Sequence, residues 1–249
     1  MSKILDKFKG YYDISKLIQI GASINIVFGG RGAGKSYQIK KWTLEEAIKK
    51  KRLFMLCFRR ETARNTQSKI LQYFADMKPV IEKLTDGQFD SLQIKGIAIH
   101  LYKEEHGEFV EFTTKEGFKD KKWKPGKKIW GEKVGYIMFL TQEQYHKSSI
   151  YEDVYNFIFE EFVSNDGYLI DEPTKLISAL STTFRNREGC RAFLIGNTLS
   201  RVNPYVSEWE LKGLARQEAG TIDEYEIEGN NGNIKVAIER VKDNAIQSL

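Results

Sequence analysis

The amino-acid sequence predicts an α/β fold in which a central, mainly parallel sheet is covered by helices on both faces. A short apolar segment, residues 24–28, is followed by a glycine-rich loop and then by a helical pattern that begins at Ser36. The apolar run over residues 53–58 is continuous and bounded by charge, as in a parallel strand buried on both faces. A helical pattern over residues 63–74 follows it. We expect residues 1–249 to form one domain, because this length is common for a single α/β domain.

The glycine-rich loop has the residue types of a phosphate-binding loop. Residues 29–36 fit the Walker A pattern G-x-x-x-x-G-K-[ST]. Glycine lets the chain curl so that backbone N–H groups beside a helix N-terminus point at a triphosphate, and Lys35 reaches its β and γ phosphates. The Ser36 hydroxyl is predicted to bind Mg²⁺, which takes few protein ligands. A glycine-rich turn that binds nothing is the alternative. The predicted nucleotide-binding residues are Gly30, Arg31, Gly32, Ala33, Gly34, Lys35, Ser36 and Tyr37.

Composition excludes several classes of protein. The 39 Lys and Arg against 34 Asp and Glu give a net charge of +5, which permits a polyanionic partner without requiring one. Two cysteines, Cys57 and Cys190, are too few for a disulfide scaffold or a zinc site. No apolar run approaches the roughly 18 residues of a membrane-spanning helix, and the N-terminus lacks a signal-peptide pattern. We therefore expect a soluble, cytosolic protein with no membrane partner.

Several stretches allow two interpretations. Arg59 and Arg60 follow the strand at 53–58, where they face either a phosphate or nucleic-acid ligand or plain solvent. Residues of about 85–140 indicate a β-rich insertion. Within it, residues 119–128 place six lysines around Trp123, which suits contact with a phosphate backbone and equally suits a solvated hairpin tip. The segment of about residues 221–249 indicates a terminal hairpin or the start of a linker.

Nucleotide hydrolysis also requires carboxylates, one to hold hydrated Mg²⁺ and one to orient water, at the end of a buried strand beside the loop strand. Two stretches compete for this role. The apolar segment 154–159 ends in Glu160 and Glu161, whereas Asp171 and Glu172 follow a turn and precede a helical pattern. We prefer the first pair, with Glu160 as a Mg²⁺ ligand. Asp171 and Glu172 are interpreted as helix-start residues whose loss would cost only modest stability.

Further motifs follow in a fixed order along the chain. After the Gly-Arg-Gly-x-Gly-Lys-Ser-Tyr loop come Lys147-Ser148, Phe-Glu-Glu-Phe at 159–162, Phe-Arg-Asn-Arg-Glu at 184–188 and Asn203-Pro204-Tyr205. With these motifs the chain resembles the DNA-packaging ATPases of small short-tailed bacteriophages, which are relatives of the terminase large subunits. The similarity runs from about residue 20 to about 205, with poorly matching insertions that include the lysine-rich hairpin.

The resemblance implies a P-loop fold of the additional-strand, catalytic-glutamate type that uses ATP and Mg²⁺. It implies a homomeric ring, with five subunits as the expected number, that pumps double-stranded DNA into a procapsid at the portal vertex in the host bacterial cytoplasm. By matching positions, Glu161 would be the catalytic glutamate and Asn197 a γ-phosphate sensor. Arg185 would be an arginine finger offered to a neighbouring subunit, and Lys147 a second trans-acting or sensing cation. Members of the family have Asp in place of Glu160, and they carry a C-terminal nuclease-like domain for which this chain has no room.

The residues alone also allow other interpretations. Arg185 fits a solvent-facing helix end, Asn197 a strand-end turn, and Lys147 plain surface. A ring helicase or helicase loader would share the nucleotide motifs but act on single strands or on a protein partner. A non-enzymatic scaffold, in which Glu160 prevents turnover, would bind ATP without hydrolysing it.

Overall fold

The computed structural model describes residues 12–61, 67–113, 119–147, 149–160, 162–163, 167–185, 187–197, 203–229 and 232–242. Glu161, the predicted catalytic carboxylate, lies outside the described residues. Within these ranges the chain forms a mixed α/β fold around a nine-stranded sheet. Five of the eight strand pairings in this sheet are parallel, so the predicted α/β class with a mainly parallel sheet is confirmed.

The four strands at the centre of the sheet are short and almost completely buried. All five residues of the first strand and the first five of the second are buried, as their uninterrupted apolar sequences predict. The strands are β1 Ile24–Phe28, β2 Leu53–Phe58, β3 Ser91–Lys95, β4 Ala98–Glu105, β5 Glu108–Thr113, β6 Lys119–Lys124, β7 Lys127–Phe139, β8 Val154–Phe159, β9 Arg191–Ile195, β10 Thr221–Gly229 and β11 Gly232–Arg240.

The helices alternate with the strands of the parallel region. Two are long, and the rest are one or two turns. They are α1 Ser15–Ile20, α2 Lys35–Lys50, α3 Gln67–Tyr73, α4 Lys78–Leu84, α5 Glu143–His146, α6 Glu172–Phe184 and α7 Pro204–Glu208, with 3₁₀ turns at Ala75–Met77, Leu140–Gln142 and Leu214–Arg216.

The strand order is β10-β11-β1-β9-β8-β2-β7-β4-β3. The six strands from β11 to β7 are mutually parallel, so their carboxyl ends share one edge of the sheet. We call this the loop edge, because the glycine-rich loop follows β1 there, and we call the opposite edge, where β1, β2, β8 and β9 begin, the amino edge. The expectation that the carboxylate-bearing strand lies directly beside the loop strand is wrong, since β9 pairs with both β1 and β8 and separates them.

The β-rich segment of residues 85–140 is divided between two sheets. Strands β3, β4 and β7 extend the main sheet, where β7 pairs in parallel with β2. Strands β5 and β6 form a separate antiparallel pair, which we call the arm. All six residues of β5 are exposed, so the arm has little contact with the core.

The last described strands are part of the core sheet. Strand β10 pairs antiparallel with β11, which lies in parallel beside β1. The Tyr12 hydroxyl donates a hydrogen bond of 2.8 Å to Glu239 on β11. Burial raises the pKa of both groups. No helix among the described residues is long and apolar enough to cross a membrane.

Candidate active site

The glycine-rich loop connects β1 to α2 at the loop edge. Gly34 is the N-cap of α2 and has a left-handed backbone with φ of 87°, which glycine adopts without steric cost. Gly29 is required for space, because a Cβ atom there would lie 2.8 Å from the carbonyl oxygen of Val241. No side chain caps the start of α2. An uncapped helix N-terminus of this kind attracts anions.

Lys35 lies inside this loop. Its side chain is only 5% exposed, and its ammonium donates hydrogen bonds to the carbonyl oxygens of Gly29 at 3.0 Å and Gly30 at 2.6 Å. A buried ammonium group needs compensating acceptors or an anion. Arg31 is exposed at the loop, while Ser36 and Tyr37 are half-buried at the start of the helix. This set of glycine backbone, ammonium and hydroxyl fits a bound phosphate group with its metal ion.

Asn197 lies beside the loop. It follows β9 by two residues, and its carbonyl oxygen accepts a 2.8 Å hydrogen bond from the N–H of Gly29. The N–H of Gly196 in turn donates to the carbonyl of Val27 on β1 at 3.0 Å. The structure thus brings the predicted γ-phosphate sensor next to the predicted phosphate loop.

Glu160 follows β8 at the same edge, and its carboxylate is tied to the helices that flank the loop. The Tyr73 hydroxyl donates a hydrogen bond to Glu160 Oε1. The Tyr73 carbonyl accepts from the ammonium of Lys40, on α2, at 2.6 Å, and the same ammonium contacts Asp76 at 2.7 Å. Burial and the adjacent Glu160 raise the pKa of Tyr73, so its hydroxyl remains a donor. Tyr73 and Lys40 carry no motif, and sequence analysis did not identify them.

The donor chemistry at this edge fits Mg²⁺. The Ser36 hydroxyl and the Glu160 carboxylate are oxygen ligands, which Mg²⁺ prefers, and Mg²⁺ usually takes only one or two carboxylates together with phosphate and water. In the part of the chain that the structure describes, no three His, Cys, Asp or Glu residues are grouped as an all-protein metal site. That is compatible with a metal ion shared with a nucleotide.

A buried ion pair between Arg59 and Glu172 stabilises the loop edge of the sheet. The Glu172 side chain is fully buried, and the Arg59 side chain is 8% exposed. Arg59 donates from Nε to Glu172 Oε2 at 2.7 Å and from a terminal nitrogen to Oε1 at 2.8 Å. Oε1 also accepts from the Tyr205 hydroxyl at 2.9 Å, and Oε2 from the Leu169 N–H at 2.7 Å. Arg59 further donates to the carbonyl of Phe162 at 3.0 Å.

This ion pair corrects two interpretations made from the sequence. Arg59 is buried and paired with Glu172, so its interpretation as a solvated surface arginine is wrong. Glu172 does begin α6, as predicted, but it is also the buried partner of Arg59. Asp171 is the exposed N-cap residue, and only for Asp171 is a modest stability cost expected. The role of Tyr205, the last residue of the Asn-Pro-Tyr motif, is to hold Glu172.

Arg185 lies at the amino edge. It is the C-cap of α6, with a left-handed backbone at φ of 44° and ψ of 47°, and its guanidinium donates to the carbonyl of Ser149 at 2.8 Å. Helix α6 begins beside Arg59 at the loop edge and has 13 residues, so its two ends are about 20 Å apart. Arg185 is therefore well removed from the loop of its own chain.

The other two basic residues near Arg185 differ in exposure. Arg187 is a structural residue, because its guanidinium donates to the carbonyls of Tyr151, Val154 and Thr183 at 2.6–2.9 Å. The Lys147 side chain is half exposed and lies 3.9 Å from the buried carboxylate of Glu143. Arg185 and Lys147 are thus two exposed cations of this surface.

The lysines of the arm and its base mostly face glutamates. The cross-strand pairs are Lys124 with Glu108, Lys121 with Glu111, Lys128 with Glu104 and Lys127 with Glu105. Opposite charges in such pairs attract each other, which reduces the field available to a polyanion. Phe109, Phe112 and Trp123 remain exposed on the arm. The structure therefore weakens the case for the arm as a DNA contact.

Known proteins match this chain over most of its length. A family model described as Podovirus DNA encapsidation protein (Gp16) matches residues 5–107 and 93–228. The DNA packaging protein of Bacillus phage phi29 is 27% identical over 198 residues, which are 78% of this chain and 48% of that protein. The DNA packaging protein of Bacillus phage B103 is 28% identical over 185 residues, or 73% and 46%. The chain thus spans about half the length of the curated relatives it matches.

Solved structures match the fold. The crystal structure of the N-terminal domain of the DNA packaging ATPase from bacteriophage phi29 is 25% identical, with a TM-score of 0.67, and the match covers 96% of this chain and 99% of that domain. A chain of the phi29 viral genome packaging motor assembly is 25% identical, with a TM-score of 0.62, and the match covers 92% and 57%.

Proposed function

Because the chain belongs to the podovirus DNA encapsidation protein (Gp16) family, we propose that it hydrolyses ATP in a motor that moves double-stranded viral DNA into a procapsid. The observation that carries the proposal is the placement of Lys35, Asn197 and Glu160 at one edge of the sheet, each at the end of a different parallel strand or its loop. ATP hydrolysis requires that groups which donate hydrogen bonds to the phosphates lie close to a carboxylate.

Each residue at the loop edge has a role in the proposed reaction. Lys35 and the backbone of the loop bind the β and γ phosphates, and Asn197 senses the γ phosphate. Ser36 and Glu160 would hold Mg²⁺, which when bound neutralises charge on the phosphates. The sequence position of Glu161, directly after Glu160, makes it the proposed residue that orients the attacking water. The position of β9 between β1 and β8 supports the additional-strand type of P-loop fold.

The amino edge has a different role. Arg185 is too far from the loop of its own chain to contact a nucleotide there, and a guanidinium supplied in trans stabilises the charge of the transition state. We therefore include identical subunits in the proposal, arranged as a ring, with five as the expected number, at the portal of the procapsid in the host cytoplasm. Lys147 is the second cation offered to the neighbour.

A mixing experiment tests this function. The variant Glu161→Gln keeps the arginine finger, Arg185, but should bind ATP without hydrolysing it. The variant Arg185→Ala keeps an intact nucleotide pocket but should lose the rise of ATPase activity with protein concentration. A finger in trans is typically worth about 10³ to 10⁵ in turnover, so mixed interfaces should regain measurable activity.

The outcomes separate the competing functions. Wild-type protein that binds ATP and releases no phosphate, with or without DNA and procapsids, would be a nucleotide-binding scaffold. Stimulation by single-stranded DNA alone would indicate a helicase. An inactive mixture, in which both variants demonstrably assemble together, would contradict a trans-acting Arg185.

A further inference from the structure

The surface that carries Arg185 and Lys147 also exposes two large apolar side chains. Tyr145 is 85% exposed and Ile150 is 61% exposed, and both belong to the segment of residues 145–150 that contains Lys147. Single exposed apolar residues are ordinary on protein surfaces. Here Tyr145 and Ile150 belong to the same segment as Lys147, and Arg185 is hydrogen-bonded to the carbonyl of Ser149 in that segment. Tyrosine and arginine are the residue types that dominate the energetics of protein interfaces.

Described residues next to Tyr145 and Ile150 make several hydrogen bonds. The Ser149 N–H donates to the carbonyl of His146 at 2.8 Å, and the His146 ring is hydrogen-bonded to the Tyr151 hydroxyl at 2.6 Å. Tyr151 is buried, and its carbonyl accepts from Arg187. A hydrogen-bonded backbone reduces the cost of ordering the chain when a partner covers it, although the exposed side chains still lose rotamer freedom. Tyr145 and Ile150 each adjoin a residue held in this way, His146 and Tyr151 respectively.

The chemistry of this surface restricts its partner. Two cations beside apolar residues fit an anionic group set in a protein surface, which is what a phosphate loop with bound nucleotide presents. The loop of the same chain cannot be that partner, because α6 separates Arg185 from the loop edge by about 20 Å. Arg185 also has a hydrogen bond to Ser149, so the surface is already arranged before any partner arrives.

We propose that Tyr145 and Ile150 are the apolar contacts by which one copy of the chain docks beside the nucleotide loop of a second copy. This inference rests on the proposed function, because it assumes that subunits meet across the nucleotide. Apolar contact supplies affinity that two surface cations alone do not, since exposed ion pairs contribute little. Tyr145 and Ile150 thereby position Arg185 and Lys147 and are not themselves catalytic.

The test compares the variants Tyr145→Ser and Ile150→Ser with Phe109→Ser as a matched control. Phe109 is 67% exposed, but it lies on the arm. The arm leaves the main sheet at Lys127, at the start of β7. Lys127 is nine residues, or about 30 Å, along β7 from Tyr136. The Tyr136 ring packs against Tyr151, so the control lies far from the proposed surface. All three side chains are exposed, and we expect circular dichroism and urea unfolding to match the wild type.

Sedimentation velocity with a slowly hydrolysed ATP analogue measures assembly, and phosphate release against protein concentration measures its consequence. We expect each test variant to raise the protein concentration for half-maximal assembly at least tenfold, while Phe109→Ser remains within twofold of wild type. Binding of a fluorescent ATP analogue to unassembled chains should be unchanged in all three, which separates loss of docking from loss of the pocket.

Failure of this inference and failure of the proposed function give different results. If the wild type neither assembles nor hydrolyses ATP at any concentration, the proposed function is wrong and the docking inference falls with it. If the wild type assembles and the test variants assemble like Phe109→Ser, only the docking inference is overturned. Normal assembly combined with loss of stimulation by procapsids would also overturn it, because the surface would then face a different protein.

Discussion

Replacing Glu172 with glutamine should destabilise the protein strongly, although the change removes only a charge. The Glu172 carboxylate is fully buried and accepts four hydrogen bonds, two from Arg59 and one each from Tyr205 and Leu169. An amide offers one oxygen and turns an NH₂ group toward donors. It also leaves the Arg59 charge buried without its counter-ion. Removing one partner of a buried ion pair costs about 3–5 kcal/mol.

Equilibrium urea unfolding measures this loss. With an m value of about 2–3 kcal/mol per M, the midpoint should fall by about 1–2.5 M. The fluorescence of Trp209, whose ring centroid lies 5.0 Å from that of Tyr205, reports on the same region. Asp171→Asn is the matched control, since this neighbouring carboxylate is exposed and its removal should cost no more than about 0.5 kcal/mol. Equal midpoints for the two variants would refute the reasoning.

Three further predictions concern other parts of the molecule. Lys35→Ala should weaken ATP binding and abolish phosphate release, and unchanged turnover would contradict the phosphate-loop interpretation. Neutralising Lys121, Lys122, Lys127 and Lys128 should change the slope of log K against log salt concentration for DNA binding by less than about one. Loss of four phosphate contacts would change that slope by about 3.6. A change that large would show that the cross-strand glutamates do not weaken the contact of these lysines with DNA. Burial lowers the pKa of His146 below its ordinary value. The neutral ring therefore contributes to the folding stability of the protein above about pH 6.5, and this contribution is lost as pH falls through the lowered pKa. Urea midpoints at about pH 7.5 and 5 should therefore differ less in His146→Gln than in wild type.

The elements that sequence analysis located best are those with a local cause. The loop at 29–36 and the strands at 24–28 and 53–58 follow from glycine spacing and from continuous apolar runs, which need no distant partner. The preference for helix-start residues at Asp171 and Glu172 has the same origin. In each case the relevant signal lies within about ten residues.

The misplaced elements depend on pairing between distant segments. The position of β9 between β1 and β8 joins residues more than 160 positions apart, and no local pattern records it. Residues 127–139 fall within the predicted β-rich insertion, yet the second half of β7 pairs in parallel with β2 in the main sheet. The Arg-Arg pattern leaves Arg59 open to a ligand contact or to solvent, whereas its partner in the structure, the buried Glu172, is 113 residues away along the chain. Proximity of this kind is set by topology, which single-sequence patterns do not encode.

Helix α6 joins two edges of the sheet that serve different nucleotides in the proposed ring. Both of its ends are fixed in left-handed backbone conformations at residues other than glycine, Asp171 and Arg185. Its first residue, Glu172, is paired with Arg59 next to its own pocket, and its C-cap residue, Arg185, carries the guanidinium proposed to face the neighbour. In the proposed ring, each copy of α6 would therefore span the distance from its own nucleotide pocket to the guanidinium that faces the next subunit's pocket.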